Sequence, residues 1–320
     1  MKFNFFIRKL QHVFCILSFL FFVPGSAEAE GIIADHTAAK ESVLRSIPLK
    51  YLNAAKQNLH IMYCGTSHSS QLVDGMRGLM SYKNGDEKLF SVNFEGKTIP
   101  GSLDLYYRPP EIFPAKAKDL SRDNTDKKRR TNYYYATIQY LDSNPKCNVV
   151  MWSWCSIEGH NVQIYLDNFE DLIDLYKAGG PKGRTTQNEV LFVFMTGYAR
   201  GNQGDDPTAK NSPFVNAKKI KKYCNDKGYY CHDYWSQDVY NYQNDKYMPY
   251  ESGNNNAQHR AFIDSHVVGT HWFECRDWQT GEVKWPAHCN AEPTAQHLTG
   301  NRRAYAAWYL WARIAGWDGK

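Results

Sequence analysis

Short apolar runs rich in β-branched and aromatic residues alternate along this chain with longer stretches of helical spacing, and no other feature constrains the fold as tightly. The runs are Leu59–Cys64, Leu89–Phe94, Asn148–Trp152, Val190–Met195 and Tyr229–Asp233. Between them, Leu72, Met76 and Leu79 mark one helical face, and Val162, Tyr165, Leu166, Phe169, Leu172, Ile173 and Tyr176 mark the longest. Phe214, Ala217, Ile220 and Cys224 mark another, and Ala304, Ala307, Trp308, Trp311, Ile314 and Ala315 close the chain. A strand followed by a helix of this length returns as a parallel strand, so the pattern predicts βαβ units. The expectation is a three-layer α/β/α domain around a mostly parallel sheet. Strands 59–64, 148–152 and 190–195 should be neighbours at its centre, because their near-continuous apolar character suits burial on both faces. The helical stripes are core faces first. Nothing repeats at a fixed spacing, which excludes solenoids and propellers.

The compartment is written at the amino end. Lys2, Arg8 and Lys9 precede the apolar stretch Val13–Val23, followed by Pro24, Gly25 and the small-residue site Ala27-Glu28-Ala29. That is the pattern of a cleaved signal peptide over 1–29, too short to span a bilayer. The mature chain, 30–320, is expected to be secreted or periplasmic, with no stable membrane insertion after cleavage. A mean hydropathy of −0.60 excludes a polytopic membrane protein. Loss of Lys2, Arg8, Lys9 and Glu28 takes the formal charge from +5 to +3, too little to imply nucleic-acid binding. The basic run Lys127–Arg130 reads as a solvated loop.

Of the eight cysteines, Cys15 leaves with the leader, and the odd remainder sits in a compartment where disulfides form. Local spacing suggests Cys147 with Cys155, Cys224 with Cys231 and Cys275 with Cys289, leaving Cys64 in a core strand. The five predicted strands are expected in flavodoxin-like order. Residues 235–299 differ from the rest. Poor in apolar runs and rich in Asn, Gln, His and Trp, they read as a disulfide-stapled excursion on the carboxyl rim of the sheet, where α/β folds carry their sites. His266, His271 and His288 lie there, but no register makes them a ligand set, and no metal site is expected. Asp205-Asp206 lacks EF-hand spacing. Gly179–Gly183 lacks the Lys-Ser/Thr ending of a P-loop.

The segment His60-Ile61-Met62-Tyr63-Cys64-Gly65-Thr66-Ser67-His68-Ser69 carries the most chemistry. A strand runs into a glycine turn and a helix begins at once. A serine in that turn sits where free N–H groups and the helix dipole favour negative charge. An acyl-transfer nucleophile suits that place, since its own N–H helps hold the oxyanion; a helix cap is the plainer role. His297, just before the last helix, falls on the same rim of a parallel sheet, so Ser67 and His297 can meet across the intervening chain.

This layout resembles the SGNH (GDSL-like) hydrolases, secreted esterases and acylhydrolases. Gly65-Thr66-Ser67 stands for their Gly-Asp-Ser block. The resemblance implies a glycine N–H in the oxyanion hole, for which Gly101 in Ile99-Pro100-Gly101-Ser102 is the candidate and Gly96 the reserve. Trp152-Ser153-Trp154-Cys155-Ser156 stands where the family has Gly-x-Asn-Asp, and Thr294-Ala295-Gln296-His297 where it has Asp-x-x-His. Two residues depart from the pattern. The asparagine donor is absent, with Ser153 or Ser156 as its substitute, and loss of one such donor typically costs about 10²–10³ in rate. The aspartate that orients the histidine is absent, with Glu292 or Asp233 as its substitute. The closing Trp308-Tyr309-Leu310-Trp311-Ala312-Arg313-Ile314-Ala315-Gly316-Trp317-Asp318 is similar to the end of secreted bacterial proteins of unknown role.

The resemblance implies a serine-dependent ester hydrolase needing no cofactor. Ser67 is the nucleophile, His297 the base, and Ser67, Gly101 and Ser153 hold the oxyanion. Secretion and the Trp- and Tyr-rich rim point to an acyl group on a carbohydrate, so the expected partner is a small-molecule or polysaccharide ester. The alternative is a non-catalytic glycan-binding or surface protein that keeps the fold.

Overall fold

The computed structural model describes residues 30–113, 120–121, 129–183, 189–199, 206–248, 257–286 and 293–320. The leader predicted at 1–29 lies outside them. In chain order the elements are β1 (Ile32–Ala34), α1 (Glu41–Ser46), α2 (Leu49–Asn58), β2 (His60–Gly65), α3 (Ser70–Leu79), α4 (Asp86–Leu89), β3 (Val92–Asn93) and β4 (Leu103–Tyr107). There follow α5 (Asn132–Ser143), β5 (Val149–Ser153), α6 (Val162–Tyr176), β6 (Leu191–Met195), α7 (Pro213–Lys227), β7 (Tyr230–His232), α8 (Tyr234–Val239), α9 (Ala257–Ser265) and α10 (Gln296–Ile314).

Residues along a strand alternate between faces, and here that alternation feeds two cores. Ile61 and Tyr63 of β2, with Val149 and Met151 of β5, pack under α2, α3 and α10. Met62 and Cys64, with Val150 and Trp152, pack under α5, α6 and α7. The sheet is entirely parallel in the order β1-β7-β6-β5-β2-β4-β3. The three strands expected at its centre are neighbours there.

The sheet has seven strands where five were expected. The run 89–94 divides into the end of α4 and the edge strand β3, and the true neighbour of β2 on that side is β4. Asp104 breaks the apolar character of β4, but its carboxylate meets His60 Nδ1 of β2 at 2.8 Å. The short β1 joins the far edge beside β7.

The described cysteines all carry free thiols. Cys147 and Cys155 stand at opposite ends of β5, a strand of five residues. That is about 16 Å at about 3.3 Å per residue, beyond the reach of a disulfide. The thiols of Cys224 and Cys231 do lie in contact, buried and unbonded. Cys289, expected with Cys275, is outside the described residues.

Hydrogen bonds from α3 and α10 fasten the described part of the excursion in place of the expected staple. Asn301 brackets Phe273, accepting its N–H at 3.0 Å and donating to its carbonyl at 2.9 Å. Asp74 accepts the Trp278 N–H at 3.2 Å. The two helices approach closely where Gly75 meets Gly300; a Cβ on Gly75 would sit 2.1 Å from the Gly300 carbonyl oxygen. Arg303, fully buried, donates to Asp238 at 2.6 Å, to Gln237 at 2.9 Å and to the Tyr234 carbonyl at 2.8 Å. No helix among the described residues is long and apolar enough to cross a membrane.

Candidate functional site

After β2 the chain first fills one side of that strand, with β3 at the edge and β4 between, and then crosses to build outward on the other through β5, β6 and β7. The crevice outside the carboxyl ends of β2 and β5 is thus the switch point at which open α/β sheets bind their ligands. Gly65 and Ser153 are register partners at the top of the two strands. A Cβ on Gly65 would lie 2.7 Å from the Ser153 carbonyl oxygen and 3.0 Å from the Ser69 Cβ. Only glycine lets the turn after β2 lie this close to β5.

Thr66 is extended, and a 3-10 turn over Ser67–Ser69 leads directly into α3. The first N–H groups of such a start have no acceptor within the helix and carry its positive end. Ser67 is half-buried there, and its hydroxyl makes no hydrogen bond among the described residues. Ser69 has a different occupation. Its hydroxyl donates to the Thr66 carbonyl at 2.5 Å, lies 2.7 Å from the Tyr107 hydroxyl and accepts from Arg108 Nη2 at 3.1 Å. Arg108 Nε donates to the Gly65 carbonyl at 3.0 Å. Arg108 follows β4 with φ of 52°, in the left-handed region that non-glycine residues seldom occupy. Its guanidinium lies over the Tyr107 and Phe113 rings, 4.8 and 4.6 Å from their centroids. Ser69, Tyr107 and Arg108 together brace the turn that presents Ser67.

From the β5 side, Ser153 reaches the crevice, but it is buried and its hydroxyl donates to the Trp154 carbonyl at 3.3 Å. Cys155, two residues on, is exposed with its Sγ 3.6 Å from His68 Nδ1, and the His68 ring stacks on Tyr198 at 4.4 Å. Local spacing, which suggests a Cys147–Cys155 disulfide, does not reveal this thiol–imidazole contact. The available signal was positional: both residues follow the carboxyl ends of strands expected to be neighbours.

The other expected residues fall elsewhere. His297 is the second residue of α10, stacked on Trp272 at 5.8 Å, and its Nδ1 accepts the Cys275 N–H at 2.9 Å. A neutral ring that accepts at Nδ1 carries its proton on Nε2, so its outer nitrogen donates where a base must accept. Burial pulls its pKa down to about 4. No hydrogen bond joins it to Ser67 among the described residues. Gly101 precedes β4, which puts it at the amino end of the sheet, a strand's length from the crevice. Its N–H cannot serve an oxyanion formed at Ser67. Gly96, the reserve, packs against the Tyr106 ring. Asp233 caps α8 through the Ser236 N–H, accepts from Thr196 at 2.8 Å and pairs with Lys221 at 2.9 Å. It is committed to structure and does not orient His297. Glu292 lies outside the described residues, as does His288; His266 stacks on Phe262, 5.2 Å from the His271 ring. No three His, Cys, Asp or Glu side chains among the described residues are grouped to hold a metal ion.

No family model, curated protein or solved structure matches the chain.

Proposed function

We propose that this is a secreted or periplasmic ester hydrolase of SGNH-like architecture that removes acyl groups from a carbohydrate, reacting in the crevice between β2 and β5. The observation that carries the reading is Ser67: a half-buried hydroxyl with no competing hydrogen bond, at the first position of a helix start, in the switch-point crevice. Its Oγ attacks the acyl carbon while the first N–H groups of the turn hold the oxyanion. The proton that Ser67 gives up passes through a base to the leaving alkoxide, and water then cleaves the acyl-serine to free the acid and restore the hydroxyl. For His297 to be the base, its Nδ1 must release the Cys275 N–H and the ring proton must leave Nε2. Its resting tautomer opposes the reaction.

A second reading rests on the Cys155–His68 contact. It supplies a nucleophile and a base already 3.6 Å apart in the same crevice, and would run the same acyl transfer through a thioester. Hydrolysis of p-nitrophenyl acetate by the mature chain and three variants decides between them. Under the serine reading, Ser67→Ala loses at least about 10³ in rate and Cys155→Ala keeps it. Under the thiol reading, Cys155→Ala and His68→Gln fail while Ser67→Ala survives. Equal rates in all of them would refute both, and rates no greater than in buffer alone would leave the non-catalytic glycan-binding protein.

A further inference from the structure

A cleft of 840 Å³ runs along the β3–β4 side of the molecule, lined by Arg77, Phe94, Ile99, Tyr107, Arg108 and Trp278 among others. It falls in the range of about 300–1,000 Å³ common to ligand clefts. Arg108 is shared: it lines this cleft, and its Nε and Nη2 hold the turn beneath Ser67. A molecule lying in the cleft therefore ends beside the crevice.

The charges are unbalanced. Arg77 makes no ion pair or side-chain hydrogen bond among the described residues, and Arg108 donates only to a carbonyl and a hydroxyl. The one acid in the lining, Glu95, is already paired with Lys97 at 2.6 Å. Two guanidinium groups thus face the cleft without a carboxylate. Guanidinium groups recognise carboxylates and phosphates; the Arg77 fork is open among the described residues, and Arg108 keeps Nη1 beside the two donors that hold the turn.

The aromatic element is held rigidly. Trp278 stands edge-on to Tyr107 with ring centroids 5.1 Å apart, and its N–H is taken by Asp74. Asp277 fixes the turn that carries it, accepting the Gln279 and Thr280 N–H groups at 2.9 and 3.0 Å. The half-buried indole makes no hydrogen bond through its own ring N–H among the described residues. A flat face with a free donor suits the C–H face and hydroxyls of a sugar ring.

We propose that this cleft binds an acidic oligosaccharide, a chain of uronate residues, with Trp278 under one ring and Arg77 and Arg108 on carboxylates. This deepens the proposed function, on which its role as a substrate site rests, but the binding itself is measured without catalysis. Tetragalacturonate, its methyl ester and maltotetraose serve as probes for the mature chain, read by calorimetry and tryptophan fluorescence. Tetragalacturonate should bind, and the two uncharged tetrasaccharides should bind at least about ten-fold more weakly. Its affinity should fall as salt rises from about 50 to about 500 mM, as the charges are screened. Arg77→Gln and Trp278→Ala should each cost about ten-fold or more. Arg77 lies outside the hydrophobic core, so its variant keeps the test decisive if Trp278→Ala fails to fold. Absence of binding, equal binding of the uncharged chains, or unchanged affinity in Arg77→Gln would overturn the proposal. Ester hydrolysis that persists when tetragalacturonate fails to bind would overturn this inference alone. Binding in a protein that hydrolyses no ester would overturn only the proposed chemistry.

Discussion

Asp74 is the buried acid whose ionisation should be most visible in stability. It sits on α3 with no solvent exposure, its Oδ1 accepting the Trp278 N–H and its Oδ2 without a hydrogen-bond partner among the described residues. Burial pushes its pKa from the ordinary 3.8 up to about 7, against the opposing pull of the Lys284 charge and the Trp278 N–H. The native protein thus holds a proton that the unfolded chain has released, over the whole interval between those values. Stability from this group is complete below about pH 4, declines as pH rises and is gone above about pH 7. At about 1.4 kcal/mol per pH unit, the ceiling is about 4 kcal/mol. Asp74→Asn keeps an acceptor for the Trp278 N–H and cannot ionise. Its amide N–H₂ adds a buried donor costing about 1–3 kcal/mol, but that cost does not depend on pH. Urea unfolding of both proteins from pH 5 to pH 8.5 is the assay. The variant should gain on the wild type steadily up to neutrality and hold a constant difference beyond it. Parallel pH profiles would refute the reasoning, because no buried ionisation would then be at work.

Gly75→Ala should be strongly destabilising, because its Cβ would meet the Gly300 carbonyl at 2.1 Å and force α3 from α10. Overpacking of this kind costs about 1–3 kcal/mol or more, so a variant melting with the wild type would show that the helices part freely. Asp238→Asn should cost about 3–5 kcal/mol in denaturant unfolding, since it strips the fully buried Arg303 of the carboxylate it pairs with among the described residues. A loss below about 1 kcal/mol would mean that Gln237 and the Tyr234 carbonyl suffice for that guanidinium.

What could be read in the sequence was whatever its own neighbours decide. β2, β5 and β6 are apolar on both faces, so each announced itself, and their adjacency followed from the helices between them. The turn at Gly65 was legible for the same reason: strand, glycine and helix start occur within a few residues. His297 was legible as lying at the start of the last helix, but its surroundings were not. Its tautomer depends on the Cys275 N–H, delivered by a segment whose path along α3 no periodicity encodes. β4 was illegible because Asp104 reads as a break, and its partner His60 lies 44 residues away.

That one missed strand accounts for the misplaced oxyanion donor. With 89–94 taken as the strand beside β2, Gly101 follows a carboxyl end and falls on the reactive rim. With β4 in that place, Gly101 precedes the strand and drops to the opposite end of the sheet. The residue that does follow β4 is Arg108, whose φ of 52° turns its guanidinium back onto Gly65 and Ser69. In a parallel sheet the end at which a residue sits is fixed by the strand it follows. Assigning the second strand correctly would have exchanged Gly101 for Arg108 at the crevice, and with it an amide donor for a cation.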